Sequence, residues 1–494
     1  MEGGGERGVC GFYDKNKQYK DCNVYILVSL ITMCDQSNAI FVVDTDDYDK
    51  TRIIKKTYVS KTTGTKGLEY EVLNLMNPNP NPIPNTVEGE GDGDGEVSTI
   101  PAEKSYSGIE QYRSAICRNG RILSMGVPKG LEFSDFKQKY PVGLEGGDGG
   151  EKGDGLYVSQ VIEGTMINLF FDRETESWEI ATKGAVGGNY WFLRTQYPSI
   201  GMSSAQLTFR QMFLEACGVP CMTTEGVGVG VGEGVETDLN EIPFLTEFDK
   251  DLVYSFVLQH PLNHIIGWVN APALYLVSVY RKLACGRAIE YISPTVYESW
   301  GVFSESPVRF PKRFEFYGYD ELYGWVAGAG GCPTGDYTFA GVMVTNIATG
   351  ERCRVDNPGY LEALQVRGNH PNLQYHYLTL LRNGADYVNQ FLSYFPWYQY
   401  IFDAFYMQFA EFVRCVHQSY VDRYVRKIVA EGCVPKKYMP HIWRLHHQVY
   451  LPSLAVATEG GVGGGVSKVI VKRNVVETYV LGLEVKEVIH YLKM

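Results

Sequence analysis

QVIEGTMINLFFD, residues Gln160 to Asp172, decides how the rest of the chain is read. Val161-Ile162 leads into Glu163-Gly164-Thr165, and Ile167 to Phe171 is a run of strand-forming residues. The pattern reads as a strand, a tight turn marked by glycine and a second strand. Such a turn sets a carboxylate, a hydroxyl and bare backbone N–H groups at one spot. That is the equipment of a nucleotide site and equally the equipment of any hairpin.

Outward from this stretch, bulk properties set the frame. The chain has 494 residues, 45% of them hydrophobic, enough for two or three packed domains because single cores rarely grow past about 250–300 residues. The net charge of -12 is concentrated in three Gly-rich stretches, 88–96, 145–154 and 225–241, and the remainder is close to neutral. Net charge therefore says little about partners. Val24 to Met33 is the longest early apolar run and is far short of the about 20 residues a bilayer needs, so no membrane partner is expected. A Gly- and acid-rich start stands where a signal peptide would have a basic region. The 11 cysteines are scattered and odd in number, with only Cys217 and Cys221 close together. They read as reduced thiols in a cytoplasmic compartment, not as a disulfide framework or a zinc ribbon.

Three segments follow from composition. Residues 1–100 hold strand-like pieces such as Ala39 to Val43, then NPNPNPIPN (Asn77 to Asn85), an extended linker because each proline biases its predecessor away from helix. Residues 101–382 are rich in Tyr, Val, Phe and Ile with frequent turns, which is mostly sheet. Residues 383–494 change period: Phe402, Phe405, Phe409, Phe412, Val416, Tyr420 and Tyr424 recur at threes and fours, so the spacing predicts a long amphipathic helix over 399–429. Further helices are expected around His441 to Tyr450 and near the C-terminus, separated by the Gly460 to Gly465 loop. His441, His446 and His447 have no Cys or acid at ligand spacing, so no metal is expected there. The fold class is α+β. The Gly repeats lack a following GKS or GKT and are acidic, which excludes a phosphate loop, and no G-x-S-x-G elbow offers hydrolase chemistry.

Several blocks recur in a telling order: Tyr112 to Phe133 (YRSAICRNGRILSMGVPKGLEF), the EGT turn, Trp178 to Gly188, Tyr254 to Ile266 (YSFVLQHPLNHII), Leu274 to Tyr280 and Phe339 to Tyr360 (FAGVMVTNIATGERCRVDNPGY). Over about residues 105–400 they resemble the nucleotidyltransferase domain of bacteriophage-type ATP-dependent RNA ligases, and more closely the RNA-ligase-like proteins of large DNA viruses. The resemblance implies antiparallel sheets around a cleft, ATP and Mg2+ as cofactors, RNA or nucleotide as partner, a C-terminal domain that helps select RNA and, for a viral protein, the host cytoplasm.

In that family a lysine attacks the α-phosphate of ATP to form lysyl-AMP. Here Glu163 and Gly164 match the motif's acid and glycine, Thr165 replaces its serine, and Val161 stands at the lysine. A family glutamate corresponds to Val257, although Phe256, Pro261 and Asn263 are kept, and an arginine has become His264. The EG of the metal-binding block reads Ala340-Gly341. Two lysines that grip the triphosphate are replaced by Arg354 and Asp356. Lys129, Arg113 and Lys183 fall at basic positions of the family. The resemblance thus implies a catalytically degenerate ligase-like protein that binds nucleotide or RNA through Arg113, Lys129, Glu163, Gly164, Thr165, Lys183 and Arg354. The alternatives are an active ligase with a displaced nucleophile, Lys129 or Lys183, and a structural or interaction protein.

Overall fold

A computed structural model of the chain describes residues 40–42, 53–59, 69–75, 114–141, 155–190, 207–220, 237–328, 336–459 and 469–493. Arg113, Cys221, the Val24–Met33 run, the proline linker, the 460–465 loop and nearly all of the acidic Gly-rich stretches lie outside these residues. The fold is α+β, with antiparallel sheets followed by a helical region.

The largest sheet runs β1 (Ile40–Val42), β11 (Ala288–Ile292), β10 (Ala273–Lys282), β9 (Leu252–Gln259), β7 (Thr165–Asp172) and β8 (Ser177–Ala181), and β12 (Val308–Arg309) pairs in parallel with β10. Alternate residues of a strand face opposite sides, and β7 uses both. Ile167, Leu169 and Phe171 enter one core, built with the helix Phe209–Ala216, while Phe170 enters another. Because both faces are covered, the strand is apolar apart from Asn168 and Asp172, which are buried with hydrogen-bond partners of their own, and this is why the stretch reads as a nearly unbroken apolar run.

That second core lies between the large sheet and a four-stranded sheet, β2 (Ile53–Val59), β3 (Glu69–Leu75), β4 (Ser114–Arg118) and β5 (Arg121–Met125). A buried polar cluster joins the two. Arg118 Nη2 sits 2.6 Å from Asp172 Oδ2, both side chains being almost wholly buried. The Tyr70 hydroxyl donates to the same oxygen at 2.8 Å, and the Arg118 guanidinium lies 4.2 Å from the Tyr70 ring centre. A third sheet, β13 (Arg313–Phe314), β6 (Leu156–Gln160), β14 (Gly341–Asn346) and β15 (Arg352–Asp356), has its own core with Phe136 and the helix Tyr319–Val326.

The continuous helical region begins at Pro358, inside the stretch whose composition reads as sheet. Asn357 starts the first, its side chain accepting from Gly359 N at 3.0 Å, with Pro358 at the first helical position where its missing N–H costs nothing. Leu373–Asn383 and Ala385–Tyr394 follow. The helix expected over 399–429 runs Gln399–Tyr420 and continues as a wider π-helical turn, Val421–Val425. Its stripe of Phe402, Phe405, Phe409, Phe412, Val416 and Tyr420 is buried against the surrounding helices, including Arg473–Gly482 and Val485–Lys493. This core also takes in Ile266 and Ala340 from the sheet region, so helices and sheets are packed together.

Two predictions follow from the buried polar groups. Asp172→Ala leaves a guanidinium and a phenol buried without their acceptor, and removing one partner of such a pair costs about 3–5 kcal/mol; a loss under about 1 kcal/mol in urea unfolding would show that the cluster does not hold the two sheets. In the helical core, burial holds His376 and His441 down to about 4. Their neutral forms are favoured in the folded state, so the stability they contribute is present above the ordinary histidine range and lost as pH falls from there through about 4. Thermal melts between pH 7 and pH 4 are expected to fall more steeply for the native chain than for a His376→Gln, His441→Gln variant.

Candidate functional site

The strands on either side of the EGT turn do not form a hairpin. β6 ends at Gln160 paired with Val342 of β14 in the small sheet, whereas β7 starts at Thr165 paired with Leu258 of β9 in the large one. Residues 161–164 are therefore a crossover between sheets, and sequence reasoning missed this because both strands carry ordinary strand residues. Val161 N donates to Gly341 O at 2.9 Å, the last contact with the small sheet.

Glu163 fixes the crossover. Its Oε1 accepts from the backbone N–H of Ile265, Ile266 and Gly267 at 3.0, 2.8 and 3.3 Å. Gln259 Nε2 donates to its carbonyl at 2.9 Å. Burial pushes the Glu163 carboxyl above its ordinary range, against the pull of those three amides. Next to it, Asn263 Nδ2 donates to Thr165 Oγ1 at 2.8 Å. The kept Pro261 opens the short turn Pro261–Asn263 that carries this asparagine. Glu163 and Thr165 thus bind the chain's own loop.

The two sheets face each other across a cleft of about 500 Å³, lined by both Val161 and Val257. Residues that the family resemblance scatters along the sequence meet here: Lys129 from the loop after β5, Gly164 from the crossover, and Arg354 and Asp356 from β15. Lys129 is exposed, and its loop is anchored by Leu131 N to Arg352 O at 2.8 Å and by Arg352 Nε to Pro128 O at 3.0 Å. Arg354 is paired with Asp356, and the Tyr360 hydroxyl lies beside both Arg354 and Glu163. Three cations, Lys129, Arg352 and Arg354, face three acids, Glu132, Glu298 and Asp356, in one cleft. Its deeper wall holds Tyr157, Tyr280, Tyr291 and Tyr297, with Glu298 accepting from the Tyr157 hydroxyl. Sequence reasoning missed these tyrosines, and the aromatic-rich composition of the sheet region was the signal available.

Two family positions are absorbed by packing. Ala340, at the acid of the metal-binding block, is buried in the core shared with the helices. His264, in place of an arginine, donates from Nδ1 to Pro261 O at 2.8 Å and packs its ring against Trp268 and Trp397. Lys183 does not join Lys129 and Arg354. It lines a separate cavity of about 370 Å³, together with Thr165, His264 and Arg367, on the other side of Gly164.

Gly164 borders both cavities. A Cβ there would stand 2.4 Å from Leu258 O and 2.7 Å from a Val257 methyl; the backbone oxygen cannot move without breaking the β7–β9 ladder. Gly164→Ala is expected to destabilise the chain by about 2–4 kcal/mol. Urea unfolding that matches the native chain would show that the crossover has room to shift.

No protein-family profile matches the sequence, and neither does any curated protein. Among solved structures, an archaeal ATP-dependent RNA ligase is similar, with a TM-score of 0.34 and 10% identity over 69% of this chain and 66% of that one. Naegleria gruberi RNA ligase with pyrophosphate gives a TM-score of 0.28 and 10% identity over 43% of this chain and 52% of that one. A lysine-to-alanine variant of the same ligase with ATP and Mn gives 0.28 and 9% over 42% and 51%. The chain spans about half the length of the Naegleria ligase structures. Likeness at this level says nothing about which chemistry this chain carries.

Proposed function

We propose that this chain is an RNA-ligase-like nucleotidyltransferase that retains a nucleotide cleft between its two sheets and lacks the covalent step. The observation that carries the reading is Val161. It stands where the crossover enters the cleft, at the position of the family's lysine, and an isopropyl group cannot attack phosphorus. The neighbouring changes have one direction. Val257 lines the cleft without a carboxylate, and Arg354 is spent on Asp356.

The groups present suit binding better than catalysis. Lys129 and Arg352 offer cations to a phosphate, and the tyrosine wall offers flat apolar surface to a base. Mg2+ fits less well. Among the described residues no three His, Cys, Asp or Glu side chains are grouped to hold a metal. Asp356 is engaged by Arg354 and Glu298 by Tyr157, so a nucleotide would have to bring its magnesium with it. RNA binding and a viral origin rest on the resemblance of the sequence blocks.

A second reading has one observation in its favour. Lys129 lines the same cleft as Val161, and no hydrogen bond or ion pair holds its ammonium group among the described residues. It is the displaced nucleophile an active ligase would need, whereas Lys183 lies in the other cavity. In-line attack tolerates little misplacement because most of its advantage comes from positioning, and this weighs against Lys129.

Incubation with radiolabelled ATP and magnesium, followed by acid quenching, separates the readings. The native chain is expected to retain no label, and Val161→Lys to gain at least tenfold over background. Label on the native chain that disappears in Lys129→Ala would replace the first reading with the second. A nucleotide titration that detects no ATP binding by the native chain would refute both.

A further inference from the structure

The smaller cavity contains a charge that the nucleotide cleft does not explain. Arg367 ends the helix Pro358–Arg367 and is only 4% exposed, yet it lines this cavity. Its Nε has no hydrogen-bond partner, and no ion pair or hydrogen bond involves its guanidinium among the described residues. The Tyr398 ring lies 5.6 Å from the guanidinium carbon, and the guanidinium disfavours the protonated forms of the nearby His264 and His376 imidazoles. Buried arginines are ordinarily paired, because an isolated charge in a poorly solvated place is costly. The other two buried arginines near the large sheet follow that rule, Arg118 with Asp172 and Arg210 with Glu179.

The surroundings favour an anion. Among the residues lining the cavity are the cations Arg367 and Lys183, together with Asn263, Asn369 and His370, and none is an acid. Met166, Tyr190 and Phe209 supply an apolar side. The nucleotide cleft, in contrast, balances its cations with acids. A planar guanidinium with open donors matches a phosphate oxygen pair.

We infer that this cavity is a second ligand site, in which Arg367 takes a phosphate monoester independently of the cleft that contains Val161. Arg367 holds the phosphate, Lys183 at the exposed rim adds a second cation, and the aromatic side accepts the body of the ligand. The phosphate can come from a free phosphorylated metabolite or from the phosphorylated end of a polynucleotide.

The test is a thermal-shift titration of the full chain with inorganic phosphate replacing chloride at constant ionic strength. It is repeated with a short 5′-phosphorylated oligoribonucleotide and with its 5′-hydroxyl counterpart. Stabilisation of the native chain is expected, with the half-saturating concentration raised at least tenfold in Arg367→Met and several-fold in Lys183→Ala. Lys129→Ala, which removes a cation from the nucleotide cleft, should titrate like the native chain, which separates this site from that cleft. A response to inorganic phosphate and to neither oligonucleotide assigns a free phosphate source; preference for the 5′-phosphorylated oligonucleotide assigns a polynucleotide end; an equal response to both oligonucleotides is backbone binding and overturns the monoester site. If Arg367→Met does not fold, Lys183→Ala decides on the same criterion. Absence of any phosphate-dependent stabilisation, or an unchanged response in the folded Arg367 and Lys183 variants, overturns the inference and leaves Arg367 as a charge facing the C-terminal end of its own helix.

Discussion

The carboxylate of Glu163 is the constraint on which the arrangement depends. It is buried, and it accepts three consecutive backbone N–H groups from residues 265–267. Hydrogen bonds to a charged group contribute about 1.5–3 kcal/mol each, so the short link between the sheets is locked to the loop after β9. That lock sets the separation of the sheets at one end, and the cleft is the space this leaves. Gly164 completes the arrangement by letting the chain pass against Leu258 where no side chain fits.

Seen from this lock, the changes relative to the ligase pattern form two groups. The residues kept, Glu163, Gly164, Pro261 and Asn263, make the crossover and its loop. Thr165, though substituted for serine, still accepts the Asn263 hydrogen bond. The residues that differ, Val161, Val257, Ala340 and Asp356, are those whose family counterparts would face the nucleotide or its metal. An apolar pair at 161 and 257 is also cheaper to bury than an unpaired lysine and glutamate would be. The packing of the crossover against its loop accounts for Glu163, Gly164, Pro261 and Asn263 without reference to any reaction.

The helical region is tied to the same lock. Ile266, whose N–H is held by Glu163, belongs to the core that includes Phe402 and Phe405. Tyr360, on the first helix, places its hydroxyl beside Glu163 and Arg354. The cavity of Arg367 exists because the end of that helix meets the outer side of the crossover. One four-residue link therefore borders two distinct cavities, one with balanced charges between the sheets and one lined by cations and no acid beneath the helices.

The sequence by itself determined the strand β7, because Ile167 to Phe171 is a run of strand-forming residues broken only by Asn168, and the long helix, because aromatic residues recur at threes and fours. It also determined the order of blocks that the ligase resemblance rests on. Both strand pattern and helix stripe are local, and local periodicity survives in any tertiary context. Tertiary structure alone decided that β6 and β7 belong to different sheets, since strand residues do not name their partners, and the expected hairpin was wrong for that reason. It alone decided that Lys129 and Lys183 lie in different cavities, that Arg354 is matched by Asp356, and that Arg367 is buried with no acid paired to it among the described residues. Charge pairing and burial depend on residues distant in sequence, and no spacing along the chain encodes them.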